Sequence, residues 1–396
     1  MQTLEGIRVL ELGQLIAGPF CGQILADFGA EVIKIEPPGR GDAMRQWGQA
    51  DADGNTMWWS VLGRNKQSIT VDLRKAAGQE LVRQLVQDTD ILIENFRVGT
   101  LEDWGLGWSE LSAINPRLIM VRITGFGQTG PYASRAGFAS VCEAMGGLRY
   151  LCGYPDRPPV RAGISIGDSL AGVHGALGAL LALQYRERTG RGQVVDASIF
   201  ESVLAMMEGV VAEYDRSGHV RERSGSTLPG IAPSNAYATK DGTTIVIGAN
   251  QDTVFQRLCE AMSQPELAHD PRFSSHRARG QRQEELDELI SRWTQERDAE
   301  ELVDLLARVG VPAGLVYRAP EMIRDPHFQE REAIIRVSDP CFGEIAMQNA
   351  FPRMSESPGQ VVRGGPLLGE HTEKVLRERL GLKDERIKSL KEEQVI

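Results

Sequence analysis

Asp168, in the segment GISIGDSLAG (163–172), stands between a glycine and a serine at the head of an apolar run. Two readings of it are open. The plainer is an N-cap aspartate whose carboxylate accepts from the first N–H groups of a helix. The sharper is a carboxylate nucleophile, poorly solvated in an apolar setting and favoured as an anion by the helix N-terminus. Base rates favour the cap. His174, one or two turns further on, reads as a packed core histidine rather than a base. In ENFRVGT (94–100), a turn after a strand, Phe96 is placed to stack and Arg97 to meet a phosphate. A solvated surface arginine is the simpler account of Arg97. The segment LGQLIAGP (12–19) is a strand end, a small-residue loop and a helix start. Open α/β sheets usually bind ligands at such a place, but plain turn chemistry is the favoured account from sequence alone.

Other chemistries find little support. GFGQTG (125–130) matches a dinucleotide fingerprint literally, but Pro131 follows at once where a helix should open. There is no P-loop, no H-E-x-x-H and no G-x-S-x-G. No close His/Asp/Glu cluster occurs, so no metal is expected. Cysteines 21, 142, 152, 259 and 341 form no C-x-x-C and read as free thiols of a reducing cytosol. Acidic residues number 54 against 44 basic, a net charge of -10 that disfavours nucleic acid and anionic membranes as partners. A local basic pocket for a small anion remains compatible with that balance. The start, MQTLEGIRVLEL, has no basic n-region. The apolar run 170–183 reads as too short for a membrane helix and is broken by glycines and His174. A cytoplasmic protein is expected.

The elements that must position these residues alternate. Strand-like runs at 7–12, 30–36, 68–73, 90–95 and 118–127 are interleaved with helical spacing at 18–29 and 78–88. That alternation predicts a parallel sheet with helices on its faces. Residues 169–185 are apolar almost all round and predict a fully buried helix. A strand and a helix start follow at 190–202. The texture then changes to a hairpin at 235–250, with Asp-Gly at its turn, and charged helices at 283–296 and 299–310. The tail, 371–394, is charged and helical. With 396 residues and ~150 per domain, two to three domains are expected. The parse is a large α/β domain over 1–224, a small α+β domain over 225–330, and a segment over 331–396 that returns to the first.

Together these segments resemble the class III CoA-transferases, the CaiB/BaiF family that includes formyl-CoA:oxalate, carnitine and succinyl-CoA:glutarate CoA-transferases. The matching stretches run nearly end to end: LEGIRVLELGQLIAGPF, GAEVIKIEPPGRGD, GRNKQSITVDL, ILIENFRVGT, GFGQTGPY, GDSLAG, RTGRGQVVDASIFES and PLLGEHTEKVL. The resemblance implies an open, Rossmann-like parallel sheet, a smaller α+β domain, and an interlocked homodimer of ring-shaped subunits. It implies coenzyme A, carried as an acyl-CoA co-substrate. By position, Asp168 aligns with the family's nucleophile. Ile16 and Ala17 fall in the loop that holds CoA, with Val71 and Arg74 near the nucleotide. Asn95, Phe96 and Arg97 match the turn around adenine and phosphates, and Arg135 lies near a position that contacts CoA. Trp47 and Trp58 fall where relatives line the acyl pocket, with Trp59 beside them; core packing is an equal account of Trp58 and Trp59.

The activity implied is transfer of CoA from a short acyl-CoA, succinyl-CoA by analogy, to a small carboxylic acid through an aspartyl-CoA thioester and mixed anhydrides. Two departures speak against oxalate. Phe138 is followed by Ala139 rather than Asp, and GSTLPGIAPSNAY (225–237) replaces a long glycine loop. An α-methylacyl-CoA racemase on the same fold needs a His-Asp pair after the Gly-Pro turn, and no histidine precedes residue 174. An NAD-dependent oxidoreductase rests on GFGQTG alone. A non-catalytic CoA-binding protein requires an exposed, inert Asp168.

Overall fold

The computed structural model describes residues 1–396. The chain folds as two compact units. The larger holds Met1–Arg149, Arg161–His219 and Glu330–Ile396; the smaller holds Tyr150–Val160 and Val220–Gln329. The excursion Tyr150–Val160, which the sequence parse places in the first domain, therefore belongs to the second unit.

The larger unit is built on six parallel strands, β1 (Arg8–Glu11), β2 (Glu31–Glu36), β3 (Gln67–Thr70), β4 (Ile91–Glu94), β5 (Ile119–Thr124) and β6 (Val194–Ser198), in the order β3-β2-β1-β4-β5-β6. This is the doubly wound order, with its topological switch between β1 and β4. Both faces are covered, so the strands are near-continuously apolar. Leu10, Ile33, Leu92 and Met120 point to one face, and Val9, Val32, Ile91, Ile93, Ile119 and Val121 to the other. The first face is packed by the helix Ala76–Val86 and by the C-terminal helices Thr372–Leu380 and Asp384–Glu392. The tail is tied in where Ser68 O accepts from His371 N at 2.9 Å and Val395 O accepts from Asp72 N at 2.7 Å.

The second face carries the helices Ala17–Asp27 and Ile166–Thr189. The latter corrects the expectation of a fully buried helix. Its small residues, Ala171, Gly172, Gly175, Ala176, Ala179 and Ala182, are buried in one stripe. A Cβ at Gly172 would lie 2.9 Å from Ala17 O, so glycine is what lets the two helices approach. The bulky residues Val173, Leu177, Leu180, Leu181 and Tyr185 face outward and are exposed. Close packing selects the small side chains, and most of the large ones are left outside, Leu183 and Arg186 excepted. At 24 residues the helix is also long and apolar enough to cross a membrane by length and composition, against the expectation that this run is too short.

In the smaller unit, antiparallel strands Ser234–Ala238, Thr244–Gly248 and Ala313–Leu315 form a three-stranded sheet. Asp241-Gly242 makes the first turn, with Gly242 at φ +78°. Tyr237, Ile245, Phe255, Leu258, Phe273, Ile290 and Trp293 fill its core.

Candidate active site

The loop after β1 is held from three sides, by buried ion pairs and by the half-buried Asn95. Lys34, on β2, lies 2.8 Å from Asp42 and 3.4 Å from Glu11, and it also donates to Gly13 O. Burial opposes its charge, but Asp42, Glu11 and Glu36 outweigh that and hold the ammonium above its ordinary range. Lys66 meets the other oxygen of Glu11 at 2.8 Å and donates to Pro19 O at 2.7 Å. Asp42 Oδ1 accepts from Leu15 N at 3.0 Å. Leu15 is thereby kept at φ +64°, an unfavourable backbone for a leucine. Asn95 completes the clamp: its Oδ1 accepts from Gln14 N at 2.7 Å and its Nδ2 donates to Gln14 O at 2.8 Å.

Asp168 is the third residue of the Ile166–Thr189 helix, and Ser165, not Asp168, is the N-cap. No hydrogen bond engages its carboxylate within the chain, so the carboxylate does no capping. Its pKa is raised to about 6, first by burial and then by the charge of Glu143, with Arg161 pulling the other way. Glu143 is 2% exposed, on the helix Ala139–Met145, and its Oε1 accepts from Gly167 N at 3.1 Å. A Cβ at Gly167 would stand 2.9 Å from Glu143 Cγ, so a glycine before the aspartate is what brings the two carboxylates near. Transfer that depends on ionised Asp168 should therefore rise with pH through a midpoint near 6. Glu143→Gln keeps an acceptor for Gly167 and removes the repelling charge, so it should move that midpoint downward. A pH–rate profile with an unmoved midpoint would exclude Glu143 as the tuning group.

Asp168 opens on a cavity of about 900 Å³ lined chiefly by apolar groups, among them Ile16, Phe20, Met57, Trp58 and Phe138. Trp47 and Trp58 both line it and meet edge to face at 6.3 Å. Trp59 does not: it is buried, donates from Nε1 to Pro366 O at 2.8 Å, and lies under the Arg45 guanidinium at 3.8 Å. A second cavity of about 310 Å³ lies past the C-terminal ends of β1 to β4, lined by Gln14, Arg40, Val71, Arg74, Phe96 and Trp104 among others. Residues 13–16 stand at both, since Gln14 lines the smaller cavity and Ile16 the larger.

The CoA positions implied by resemblance are thus distributed. Val71, Arg74 and Phe96 line the smaller cavity, where Phe96 packs on Trp104 at 5.3 Å and Arg74 is paired with Asp72. Ala17 is buried at its helix start, and Asn95 holds the loop. Arg97 and Arg135 line neither cavity; both are exposed, Arg97 donating to Ser134 O at 3.3 Å and Arg135 stacking on Tyr132 at 3.7 Å. Sequence reasoning missed Glu143, because burial of a lone glutamate leaves no local pattern. It also missed Arg161, which stands just past the excursion into the smaller unit. No group of three or more His, Cys, Asp or Glu is placed to hold a metal ion.

The family model for CoA-transferase family III matches residues 4–372. Succinyl-CoA–D-citramalate CoA-transferase of Chloroflexus aurantiacus is 58% identical, over 100% of this chain and 98% of its own length. The succinyl-CoA–L-malate CoA-transferase beta subunit of the same organism is 41% identical, over 99% and 98%. Among solved structures, a CaiB/BaiF family protein from Brucella suis superposes with a TM-score of 0.85 at 36% identity, covering 96% of this chain and 99% of that one.

Proposed function

This chain belongs to CoA-transferase family III, and from that membership we propose that it moves CoA from succinyl-CoA to a small dicarboxylic acid through covalent adducts on Asp168. The observation that carries the reading is a carboxylate with no partner of its own, facing a cavity of about 900 Å³.

In this reading Asp168 Oδ attacks the thioester carbonyl. The C–S bond breaks, giving a mixed succinyl-aspartyl anhydride and CoA thiolate. The thiolate attacks the aspartyl carbonyl, releasing succinate and leaving an aspartyl-CoA thioester. The acceptor carboxylate attacks that thioester, thiolate departs again, and its return to the acyl carbonyl of the second anhydride yields the new acyl-CoA and free Asp168. No net proton or electron is consumed. Covalent catalysis divides one difficult exchange into easier ones. The apolar lining keeps water from anhydrides that it would hydrolyse. The nucleotide end is assigned to the smaller cavity, where Phe96 offers a ring and Arg74 a cation. The working unit in this reading is an interlocked homodimer, in which a second copy covers the outward face of the Ile166–Thr189 helix.

Trp47 and Trp58 line the larger cavity; bulky indoles there would shorten it, and an indole N–H can still serve a carboxylate. Succinyl-CoA should therefore be used efficiently and a long-chain acyl-CoA poorly. Comparing the two as donors to a panel of small dicarboxylates tests the reading. Absence of transfer from succinyl-CoA to any of them would overturn it, and efficient use of the long-chain donor would remove the size limit.

A further inference from the structure

Asp168 and Arg161 are the only ionisable side chains lining the larger cavity. Arg161 is exposed and forms no salt bridge within the chain. Its guanidinium donates to Ser165 Oγ at 3.1 Å, which ties it to the N-cap of the helix that carries Asp168. Its charge reaches the nucleophile, since it lowers the Asp168 pKa, yet no ion pair joins the two. The remaining lining is apolar or uncharged: Trp47, Trp58, Phe138, Gln23, Ser140 and Gln348 among others. A lone guanidinium in such surroundings has donors to spare and no anion within the chain to meet them.

We infer that Arg161 reads the distal carboxylate of the acyl group, and so makes the site selective for dicarboxylic substrates. This inference rests on the proposed function. The acyl carbonyl must lie at Asp168 Oδ to react. In a dicarboxylyl thioester a second carboxylate lies a few carbons beyond it. Arg161, anchored on the N-cap Ser165 and lining the same cavity, presents a planar donor fork to that group. A monocarboxylic acyl group of equal length fills the same space and leaves the fork unmatched. The same arginine would serve donor and acceptor in turn, because both halves of the exchange occupy one cavity.

The test compares succinyl-CoA with butyryl-CoA as donors, in wild type and in Arg161→Met and Arg161→Lys. Arg161→Met should lower the ratio of kcat/KM for succinyl-CoA over butyryl-CoA by about 10- to 100-fold, the scale of a hydrogen bond to a charged group. Arg161→Lys should restore part of the ratio, keeping the charge without the fork. Using the ratio cancels the second effect of the substitution, a higher Asp168 pKa, which both donors share. An unchanged ratio in Arg161→Met, with wild type active on succinyl-CoA, overturns this inference and leaves the proposed function standing. Wild type inactive on succinyl-CoA overturns the proposed function itself, before any variant is compared.

Discussion

Asp168→Asn is expected to reduce CoA transfer by about 10⁴-fold or more, the scale on which loss of a covalent nucleophile is felt. The amide keeps the shape of the side chain and cannot form the anhydride. Its effect on stability should run the other way. Burial and Glu143 raise the Asp168 pKa from 3.8 to about 6, so the folded chain holds that proton more tightly than the unfolded chain. The resulting stabilisation is complete below about pH 4 and is lost as pH rises through about 6. At neutral pH the wild type thus keeps an ionised, poorly solvated carboxylate at a cost that asparagine does not bear. The variant should melt higher than wild type at neutral pH and no higher once the pH falls below about 4. Retained turnover would remove Asp168 as the nucleophile. Loss of both turnover and stability would mean that the substitution damages the fold.

Lys34→Met should destabilise the protein by about 3–5 kcal/mol, the range found when one partner of a buried ion pair is removed. Lys34 is fully buried and neutralises Asp42 at 2.8 Å and Glu11 at 3.4 Å. Methionine fills the volume and removes the cation that Asp42 is paired with, leaving only the more distant Lys66. Lys66 continues to meet Glu11, so the loss centres on Asp42 and on the Leu15 N–H it accepts. Chemical denaturation measures the change. A loss under about 1 kcal/mol would show that the network relaxes by taking up water or protons.

Much of this arrangement is legible in the sequence, for reasons that can be named. The β/α alternation over residues 7–127 forecasts the parallel sheet, because strands buried on both faces must be apolar along their whole length. The Asp-Gly of 241–242 marks its hairpin because that turn requires a left-handed glycine. Asp168 is visible as a residue, but its two roles are not separable: the helix starts two residues before it, and Ser165 takes the cap. The Ile166–Thr189 helix misleads because an all-round apolar composition does not say which stripe packs. Here the small residues do. Arg161 and Glu143 stay hidden since neither stands in a pattern, and their meaning comes from elements that meet only after folding. Asn95 lies in the expected turn, yet it grips Gln14 from the far side of the topological switch, a pairing set by strand order.

The loop at residues 13–16 has a consequence for reach. Asn95 pins Gln14, Asp42 pins the strained Leu15, and Ile16 leads straight into a helix whose start is packed. None of these anchors depends on a ligand. If, as proposed, one carrier occupies both cavities, these anchors set the span from its nucleotide end to Asp168. A carrier whose arm is too short leaves its acyl carbon away from Asp168, however well its far end is held. One that is too long would have to fold its slack into the cavity that Trp47 and Trp58 line. In the proposed function, selection by the length of the carrier's arm would then precede any selection by the acyl group it brings.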